Sequence, residues 1–381
     1  MKKIVRQMII GLIVGVISPF QLLAVDNWET ASIEESGFGW DVGERFDEAF
    51  KNGELKNLHS VIVVRNSRLV FERYYEGYDR KYGRPIGNVM FTPDTRHDLQ
   101  SITKSIVSLL YGIALAEGKV PSLETPLVEA FPEYDDLFSE PVRRLITVKH
   151  ALTMSMGLEW NEAGLSYSDP RNSWNQMVHA ADKYRFVLSS PIVAKPGTTW
   201  IYSGGATSIL GRLISKGNGK SLLHFANEKL FLPLGINDAE WNRDIDGSES
   251  ADGGLRMKPR DLAKIGQLVL NQGRWNGVQL VPSEWLESSF IERPTANEKF
   301  KYGYQWWLVH VQKLNDQWVY GKGTDRWVVG SGYGGQKLII IPVHQLVIVI
   351  NAGNYGLSQS KHNSMLVSTI VLKNVLPAMA N

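Results

Sequence analysis

The sequence predicts an α+β fold in which an antiparallel sheet is flanked by helices and joined to a mainly helical subdomain. Strand-rich runs occur near both ends of the chain, and segments with helical spacing of apolar residues occupy its middle. The chain has 381 residues, of which 43% are hydrophobic and 21% are charged. This composition is typical of a globular protein that can bury a sizeable core.

The first segment of the chain is predicted to be a secretory signal peptide over 1–24. It has a basic start, an apolar run over 8–17 and a break at Ser18-Pro19. The run is shorter than the ~20 residues that a membrane-spanning helix needs, although an uncleaved anchor is the alternative. Its removal takes away three cations and changes the formal net charge from +2 to −1. We therefore expect a periplasmic or secreted protein, which without any cysteine depends on its core and not on disulfides.

The predicted sheet is built from both ends of the chain. The segment "WDVGERFDEAFKNGEL" from Trp40 has helical spacing, and two β-rich runs around a turn at 65–68 follow it. Near the C-terminus, strands are predicted over 337–341 and 346–350, and a last helix over 363–376. Strands at both ends indicate one antiparallel sheet that the two termini share.

The helical subdomain is predicted as an insertion at about 121–254. It lies within a single domain over 25–381, whose α/β part comprises about 40–120 and 255–381. Helical spacing is present in "TVKHALTMSMGLEW", "GGATSILGRLISKGNG" and "KPRDLAKIGQLVLNQG". The last two segments end in glycine, a frequent helix terminator.

A single lysine stands out in "HDLQSITKSIVSLLYGIALAEGK". Lys104 is the only charged residue in a stretch that is small or apolar from Ser101 to Ala114. A helix that is apolar nearly all round is normally buried, and burial lowers the pKa of a lysine toward a neutral amine that can accept a proton. Ser101 lies one turn earlier on the same face, near the helix N-terminus. This pair is the arrangement that a serine nucleophile and its base require.

The Ser-x-x-Lys pattern alone is weak, because "SQSK" at Ser358–Lys361 also matches it. That copy follows the Gly-rich "NAGNYG" and has no apolar helix behind its serine. We interpret Lys361 as a solvated residue, and other motifs must support Ser101.

Two further segments are candidates for the site. Tyr202 in "KPGTTWIYSGGATSILG" lies between an extended segment and a helix, where its phenol would transfer protons if nearby lysines lowered its pKa; packing at a domain boundary is the alternative.

In "WVVGSGYGGQKLIIIP", Gly330, Gly332 and Gly335 form a G-x-G-x-x-G pattern. That pattern leads into a strand and has no βαβ unit, which disfavours a nucleotide-dependent oxidoreductase. Glycines before a strand instead allow a ligand to lie along the strand edge.

Three short motifs in this order resemble those of the serine β-lactamase and penicillin-binding-protein-like superfamily: Ser101-Ile102-Thr103-Lys104, Tyr202-Ser203-Gly204 and Tyr333-Gly334-Gly335-Gln336. The segments "ITVKHALTMSMGLEW" and "GGLRMKPRDLAKIGQLVLNQGRWNG" resemble its class C-like branch, which includes esterases, D-aminopeptidases and 6-aminohexanoate-dimer hydrolases. The resemblance extends from about Ser60 to Gly353. It implies a β-lactamase/transpeptidase-like fold, with the active site between the sheet and the helical region.

The resemblance also implies a role for each motif. Ser101 would be the acylated nucleophile and Lys104 its base. Tyr202 would protonate the leaving group and help to activate the deacylating water. The substrate would lie along Tyr333, Gly334 and Gly335, and the oxyanion hole would consist of the backbone N–H groups of Ser101 and Gln336. No cofactor and no metal are expected.

Two departures from the family pattern bear on the substrate. Many β-lactamases and transpeptidases have Lys-Thr-Gly where Tyr333-Gly334-Gly335 stands, so the cation that attracts a substrate carboxylate is missing. The second motif commonly ends in asparagine, and Gly204 removes that amide. Lys337 could add charge nearby, but strand alternation leaves its direction open. Both departures favour hydrolysis of a small ester or amide over a true β-lactamase or D-Ala-D-Ala carboxypeptidase.

Other functions are retained as alternatives or disfavoured. A catalytically weak or inactive cell-wall-binding relative is the main alternative. The near-neutral mature chain has no basic stripe, which argues against nucleic acid, and no membrane contact is expected after the signal peptide is removed. The eight histidines have no close metal-ligand spacing. The aromatic residues of "YGYQWWLV" (Tyr304, Trp306 and Trp307) either line the cleft or pack in the core.

Overall fold

The computed structural model describes residues 28–39, 41–293, 295, 300–315, 317–321, 323–356 and 365–379. The predicted signal peptide and the second Ser-x-x-Lys copy at Ser358–Lys361 lie outside these residues. Within them, no helix combines the length and the apolar character needed to cross a bilayer.

The described strands run mostly in the first and last thirds of the chain. They are β1 (Leu58–Arg65), β2 (Arg68–Tyr74), β3 (Glu76–Lys81), β4 (Arg84–Met90), β5 (His97–Asp98), β6 (Glu240–Trp241), β7 (Leu255–Met257), β8 (Arg274–Trp275), β9 (Val278–Gln279), β10 (Phe300–Tyr302), β11 (Trp307–Leu314), β12 (Gln317–Tyr320), β13 (Asp325–Gly332), β14 (Gln336–Ile341) and β15 (Leu346–Ala352).

The described helices fill most of the middle of the chain. The α-helices are α1 (Val42–Lys51), α2 (Ile102–Ala116), α3 (Leu127–Ala130), α4 (Val148–Leu152), α5 (Ser173–His179), α6 (Lys183–Ser189), α7 (Gly204–Asn218), α8 (Leu222–Ala226), α9 (Pro259–Leu270), α10 (Ser283–Ser289) and α11 (Leu376–Ala378). Turns of 3₁₀-helix occur at Pro132–Ser139, Arg143–Leu145, Leu232–Leu234 and Pro342–His344, and π-helical turns occur at Asn227–Phe231 and Ser368–Val375.

The main sheet joins the two ends of the chain, as the sequence predicts. Its strand order is β10-β11-β13-β14-β15-β1-β2, with β12 paired to β11, and every pairing is antiparallel. The C-terminal strand β15 lies beside β1. The predicted hairpin is β1–β2, and its turn contains Asn66 and Ser67, both with positive φ. The α+β fold class is therefore confirmed.

Both faces of the central strands are buried, because helices cover each side. Along β15, Val347 and Val349 face one core, whereas Ile348 and Ile350 face the other. Helix α9 packs on β14, β15 and β1, and helix α1 packs with the C-terminal helical turns on the opposite face. The period-2 alternation of a strand explains why these runs are apolar at every position.

The helical segments position the middle motifs. Helix α7 packs against α2, and it ends at Gly219 with positive φ (62°), as the terminal glycine predicts. The helix predicted in "TVKHALTMSMGLEW" is short, because α4 ends at Leu152 and Met154 has a φ of 56°. The last predicted helix is described only from residue 365.

Candidate active site

Ser101 lies at the N-terminus of α2, directly after a backbone turn. Gln100, the residue before it, has a φ of 51°, an uncommon conformation for a residue with a side chain. Strand β13 approaches this turn closely, since a Cβ on Gly332 would lie 2.4 Å from the Leu99 carbonyl oxygen. The turn and the neighbouring strand together place the Ser101 hydroxyl at the wall of a cleft.

Lys104 connects the first motif to two other segments of the chain. Its side chain is 1% exposed. Its Nζ donates to the Ser101 Oγ at 3.0 Å and to the Asp252 carbonyl oxygen at 2.6 Å. The same Nζ lies 5.2 Å from the centre of the Tyr202 ring. The fold therefore brings Ser101, Lys104 and Tyr202 together.

Tyr202 lies between the Ser101–Lys104 pair and a group of aromatic rings. Ser101 and Lys104 both act on its hydroxyl and oppose the rise of its pKa. Its ring stacks on Trp307, with centroids 6.2 Å apart, and lies 6.0 Å from the ring of Trp200. Because the ring is fixed on two sides, the phenolic oxygen has little freedom to leave the other two polar groups.

Two carboxylates occupy the space beside Gly204, the glycine that ends the second motif. The Gly204 N–H donates to the Glu162 Oε2 at 2.6 Å. A Cβ on Gly204 would lie 2.9 Å from the Asp252 Oδ2 and 3.1 Å from the Glu162 Oε2. These two acids therefore stand where the family's asparagine side chain would begin.

Aromatic N–H and O–H groups hold the two carboxylates in place. Trp174 Nε1 donates to the Asp252 Oδ2 at 2.5 Å. The Tyr167 hydroxyl donates to the Glu162 Oε1 at 3.2 Å, and Trp160 Nε1 donates to its Oε2 at 2.8 Å. Glu162 and Asp252 are 2% and 3% exposed, so these bonds replace the hydration that the two groups lose.

The electrostatics of the site reverse one expectation from the sequence. Burial lowers the pKa of Lys104, but the negative charges of Tyr202, Glu162 and Asp252 outweigh burial and hold that pKa above its ordinary value. Burial raises the pKa of Tyr202, although Lys104 opposes the shift. Burial also raises the pKa of Asp252 to about 6, against the attraction of Lys104. The prediction that burial would make Lys104 neutral is therefore wrong, because the acids that surround it were not visible in the sequence.

The three motifs open onto one cleft of about 380 Å³. Its wall carries Ser101, one acid and several aromatic rings. The described residues that line it are Ser101, Glu162, Ala163, Leu165, Ser166, Tyr167, Tyr202, Trp307, Ser331, Gly332, Tyr333 and Gly356. Of the three aromatic residues in "YGYQWWLV", only Trp307 is in this set, and Tyr304 and Trp306 are buried in the core. No lysine or arginine occurs among the described lining residues.

The third motif divides between the cleft wall and the core. Tyr333 lines the cleft, while Gly334 and Gly335, with φ of 85° and 103°, form the turn between β13 and β14. Gln336 is fully buried, and its side-chain amide donates to the Ala352 carbonyl oxygen at 2.6 Å. Gln336 is not among the described residues that line the cleft.

The strand edge beside the nucleophile belongs to β13. Pairing of β13 with β11 ends at Val329, opposite Trp307. Residues 330–332 extend beyond that partner, and Ser331 and Gly332 line the cleft. Lys337, whose direction the sequence left open, donates from its Nζ to the Ser331 Oγ at 2.5 Å. Its ammonium therefore lies behind Ser331 and not on the cleft wall.

Comparison with known proteins identifies the family of the chain. The family model described as Beta-lactamase matches residues 59–363, which is most of the chain. The chain belongs to the β-lactamase family. As a member of this family of serine hydrolases it resembles 6-aminohexanoate-dimer hydrolase of Paenarthrobacter ureafaciens, with 26% identity over 312 residues that cover 76% of this chain and 70% of that protein.

A second sequence relative is an esterase, and a solved structure shows the same fold. Esterase EstB of Burkholderia gladioli is 27% identical over 221 residues, which cover 55% of this chain and 54% of the esterase. The octameric penicillin-binding protein homologue from Pyrococcus abyssi superposes with a TM-score of 0.62 at 20% identity, covering 87% of this chain and 77% of that one. At this identity the structural likeness shows the fold alone.

Sequence reasoning missed three residues at the site of this β-lactamase-family chain: Glu162, Asp252 and Ser331. Gly204 was a signal that another polar group must act beside Tyr202, but nothing in the sequence identified which one. The G-S-G run at 330–332 was recognised only as glycines before a strand. Its position in the same cleft wall as Ser101 depends on how β13 packs against α2.

Proposed function

We propose that the chain is an exported serine hydrolase that cleaves a small ester or amide through an acyl-enzyme on Ser101. The observation that carries the proposal is the 3.0 Å hydrogen bond between Lys104 Nζ and Ser101 Oγ, at the wall of an aromatic-lined cleft. Tyr202 lies beside this pair, with its ring centre 5.2 Å from the Lys104 Nζ. The names of the relatives, an esterase and a hydrolase of an amide dimer, support this substrate class.

Acylation begins from the form in which the Lys104–Tyr202 pair has lost one proton. Two groups that interact this strongly titrate as a pair, so the proton count matters more than which atom holds the last proton. Ser101 Oγ attacks the substrate carbonyl carbon while its proton passes to whichever member of the Lys104–Tyr202 pair is deprotonated, so that both members then carry their protons. The tetrahedral intermediate then collapses, Tyr202 gives its proton to the leaving alkoxide or amine, and Lys104 restores that proton to Tyr202.

Deacylation reverses the proton path. A water molecule attacks the acyl carbon, and its proton moves to the Lys104–Tyr202 pair. The ester bond to Ser101 Oγ breaks, and that oxygen recovers a proton from Lys104. The carboxylic acid product leaves, and the site returns to its starting protonation state.

The oxyanion formed in both steps needs backbone donors near Ser101. We assign one donor to the Ser101 N–H and the second to the open edge of β13 at Ser331, which lines the cleft. This assignment replaces Gln336, whose position is buried away from the cleft. A donor of this kind contributes about 3 to 4 kcal/mol of transition-state stabilisation.

The charge of the cleft favours neutral or cationic substrates. Glu162 is the charged residue among the described residues that line the cleft, and Lys337 is behind Ser331. A β-lactam or a D-Ala-D-Ala peptide presents a carboxylate, which would enter the cleft without a lysine or arginine on its described wall. We therefore expect small neutral esters and amides to be better substrates than β-lactams.

Labelling with a fluorophosphonate tests the nucleophile. Intact mass should show a single adduct on the wild type and none on Ser101→Ala. Ser108→Ala is the matched control, because Ser108 is a fully buried serine on the same helix, and it should be labelled like the wild type. A panel of esters, short amides and β-lactams then ranks the substrates. An unlabelled but folded wild type would favour the cell-wall-binding alternative.

Two further measurements test the base and the export. Lys104→Ala should abolish acylation, whereas Lys361→Ala should not; equal effects would contradict the choice of Ser101 over the second motif copy.

For export, N-terminal sequencing of protein recovered outside the cytoplasm should begin at Val25. A chain that keeps Met1 at its start would contradict cleavage after Ala24.

A further inference from the structure

A second cluster of chemically reactive side chains lies in the core, away from the cleft wall. His59 on β1, Asp79 on β3 and His97 on β5 come from three strands and are each at most 1% exposed. His59 Nδ1 and His97 Nε2 are 2.9 Å apart. Asp79 Oδ1 lies 3.4 Å from the His97 Nε2 and 4.0 Å from the His59 Nδ1. None of these residues has a part in the proposed hydrolysis.

The spacing of the three atoms fits a first-row metal ion. For separations of 2.9, 3.4 and 4.0 Å, the point equidistant from all three lies about 2.0 Å from each, which is the length of zinc–nitrogen and zinc–oxygen bonds. Two imidazoles and one carboxylate are also ligands that Zn²⁺ accepts. At that point the ion would lie in the plane of the three atoms, and a fourth ligand, either a water molecule or the second oxygen of Asp79, would approach from one side of that plane.

The hydrogen bonds around the cluster leave one oxygen of Asp79, Oδ1, without a donor among the described residues. His97 Nδ1 faces the Asp98 carbonyl oxygen at 3.0 Å, and because a carbonyl only accepts, this nitrogen carries the proton. In a neutral ring the His97 Nε2 then points a lone pair at the cluster. A proton on His59 Nδ1 would satisfy the two rings, but Asp79 Oδ1 has no hydrogen-bond partner among the described residues. A buried carboxylate oxygen left in this state is costly.

The second nitrogen of His97 is fixed as it is at many metal sites. A ligating histidine usually donates its other N–H to a carbonyl or carboxylate, which sets the tautomer and the ring direction. The Asp98 carbonyl does this for His97. His59 Nε2 has no hydrogen-bond partner in the described part of the chain, so no contact there fixes the tautomer, and binding an ion requires the tautomer that carries its proton on Nε2 and presents the Nδ1 lone pair.

The surroundings of the cluster are closed and packed. Phe91 stacks on the His59 ring with centroids 4.2 Å apart. Gly77 and Gly353 approach the other parts of the ring, since a Cβ on either would lie within 2.7 Å of the His59 Nε2. A cavity closed in this way has no room for a substrate, so an ion here would have a structural role.

We propose that His59, Asp79 and His97 bind one divalent transition-metal ion of the Zn²⁺ type. The ion would join β1, β3 and β5 and fix the segment that leads from His97 to Ser101. A chain without cysteine has no disulfide to do this, and a metal contributes folding free energy directly because the site does not exist in the unfolded chain. The expectation of no metal rested on linear spacing, whereas folding brings together histidines that are 38 residues apart.

Metal binding to the full chain tests the proposal without any substrate. The purified protein is treated with a chelator and titrated with Co²⁺, whose visible absorption reports tetrahedral nitrogen and oxygen ligands, and then with Zn²⁺ while thermal unfolding is followed. We expect saturation at one ion per chain and a higher Tm. Asp79→Asn should abolish the cobalt band, and His224→Ala, which removes a histidine with 64% side-chain exposure, should not.

Direct spectroscopy covers the case in which Asp79→Asn fails to fold. X-ray absorption of the zinc-loaded wild type should show nitrogen and oxygen neighbours at about 2.0 Å, including two imidazoles. Absence of bound metal as purified, of a cobalt band and of a zinc-dependent Tm would overturn the proposal. A band that survives Asp79→Asn but disappears with His224→Ala would also overturn it, because the ion would then lie at the surface.

Discussion

Replacing Asp252 by asparagine is expected to stabilise the folded chain at neutral pH. Burial raises the pKa of this carboxyl from the ordinary value of 3.8 to about 6, even with Lys104 nearby, and the residue is only 3% exposed. A difference of about two pKa units corresponds to about 3 kcal/mol, since one unit is ~1.4 kcal/mol. The folded state therefore holds the charged carboxylate at a cost of about 3 kcal/mol.

The pH dependence of this cost has a definite sign. The folded-state pKa lies above the unfolded-state value, so the folded chain binds the proton more tightly between about pH 4 and pH 6. Below that window the group is neutral in both states and the cost is absent. Above it the group is charged in both states and the full cost is present. The advantage of Asp252→Asn should therefore be about 3 kcal/mol at pH 8 and about half of that at pH 5.

Urea unfolding of both proteins at the two pH values measures the effect. The asparagine oxygen still accepts the bond from Trp174 Nε1, so the variant loses the charge and keeps the contact. Asp135→Asn is the control, because the Asp135 side chain is 69% exposed, and it should change the stability by less than about 0.5 kcal/mol. The reasoning is refuted if Asp252→Asn is no more stable than the wild type at pH 8, or if its advantage is the same at pH 5.

Three further outcomes are expected. Glu162→Gln removes a negative charge that raises the pKa of Lys104, so the acid limb of the pH profile of kcat/KM for a nitrophenyl ester should move to lower pH; a shift to higher pH would contradict the electrostatic assignment. Gly204→Asn, which restores the family's residue, places a Cβ 2.9 Å from the Asp252 Oδ2, so it should lower both Tm and kcat, and an unchanged Tm would show that the two acids do not fill that space. Trp307→Ala removes a ring that lines the cleft and should raise KM for aromatic acyl groups more than for acetyl groups; equal increases would argue against contact with the acyl chain.

The sequence was sufficient for those parts of the fold and site that depend on local pattern. The Ser101–Lys104 spacing is one helical turn, so a helix prediction alone places the two side chains on one face. The alternating faces of β1 and β15 follow from two apolar runs at the ends of the chain. Tyr202 was found because it lies just before a helix that begins with two glycines. Each of these features is set by residues that are near each other in the chain.

The parts that could not be predicted depend on contacts between distant segments. Lys104 donates to the backbone of Asp252, 148 residues away, and Gly204 donates to Glu162, 42 residues away. The sign of the Lys104 pKa change follows from these contacts and from nothing in its own helix. Ser331 was also missed because its position depends on distant segments: it lies in the cleft wall where β13 extends beyond its pairing with β11.

A hydrogen bond between Lys337 and Ser331 places a lysine near the third motif, although that motif itself has no lysine. An ammonium only donates hydrogen bonds, so Lys337 Nζ, 2.5 Å from the Ser331 Oγ, directs the proton of that hydroxyl to another acceptor. Burial lowers the pKa of Lys337 to about 8, which still leaves the amine charged at neutral pH. The cleft wall thus carries a hydroxyl polarised by a cation behind it, in place of a lysine on the wall itself. Such a donor would suit the carbonyl oxygen of the neutral ester or amide that we propose as the substrate.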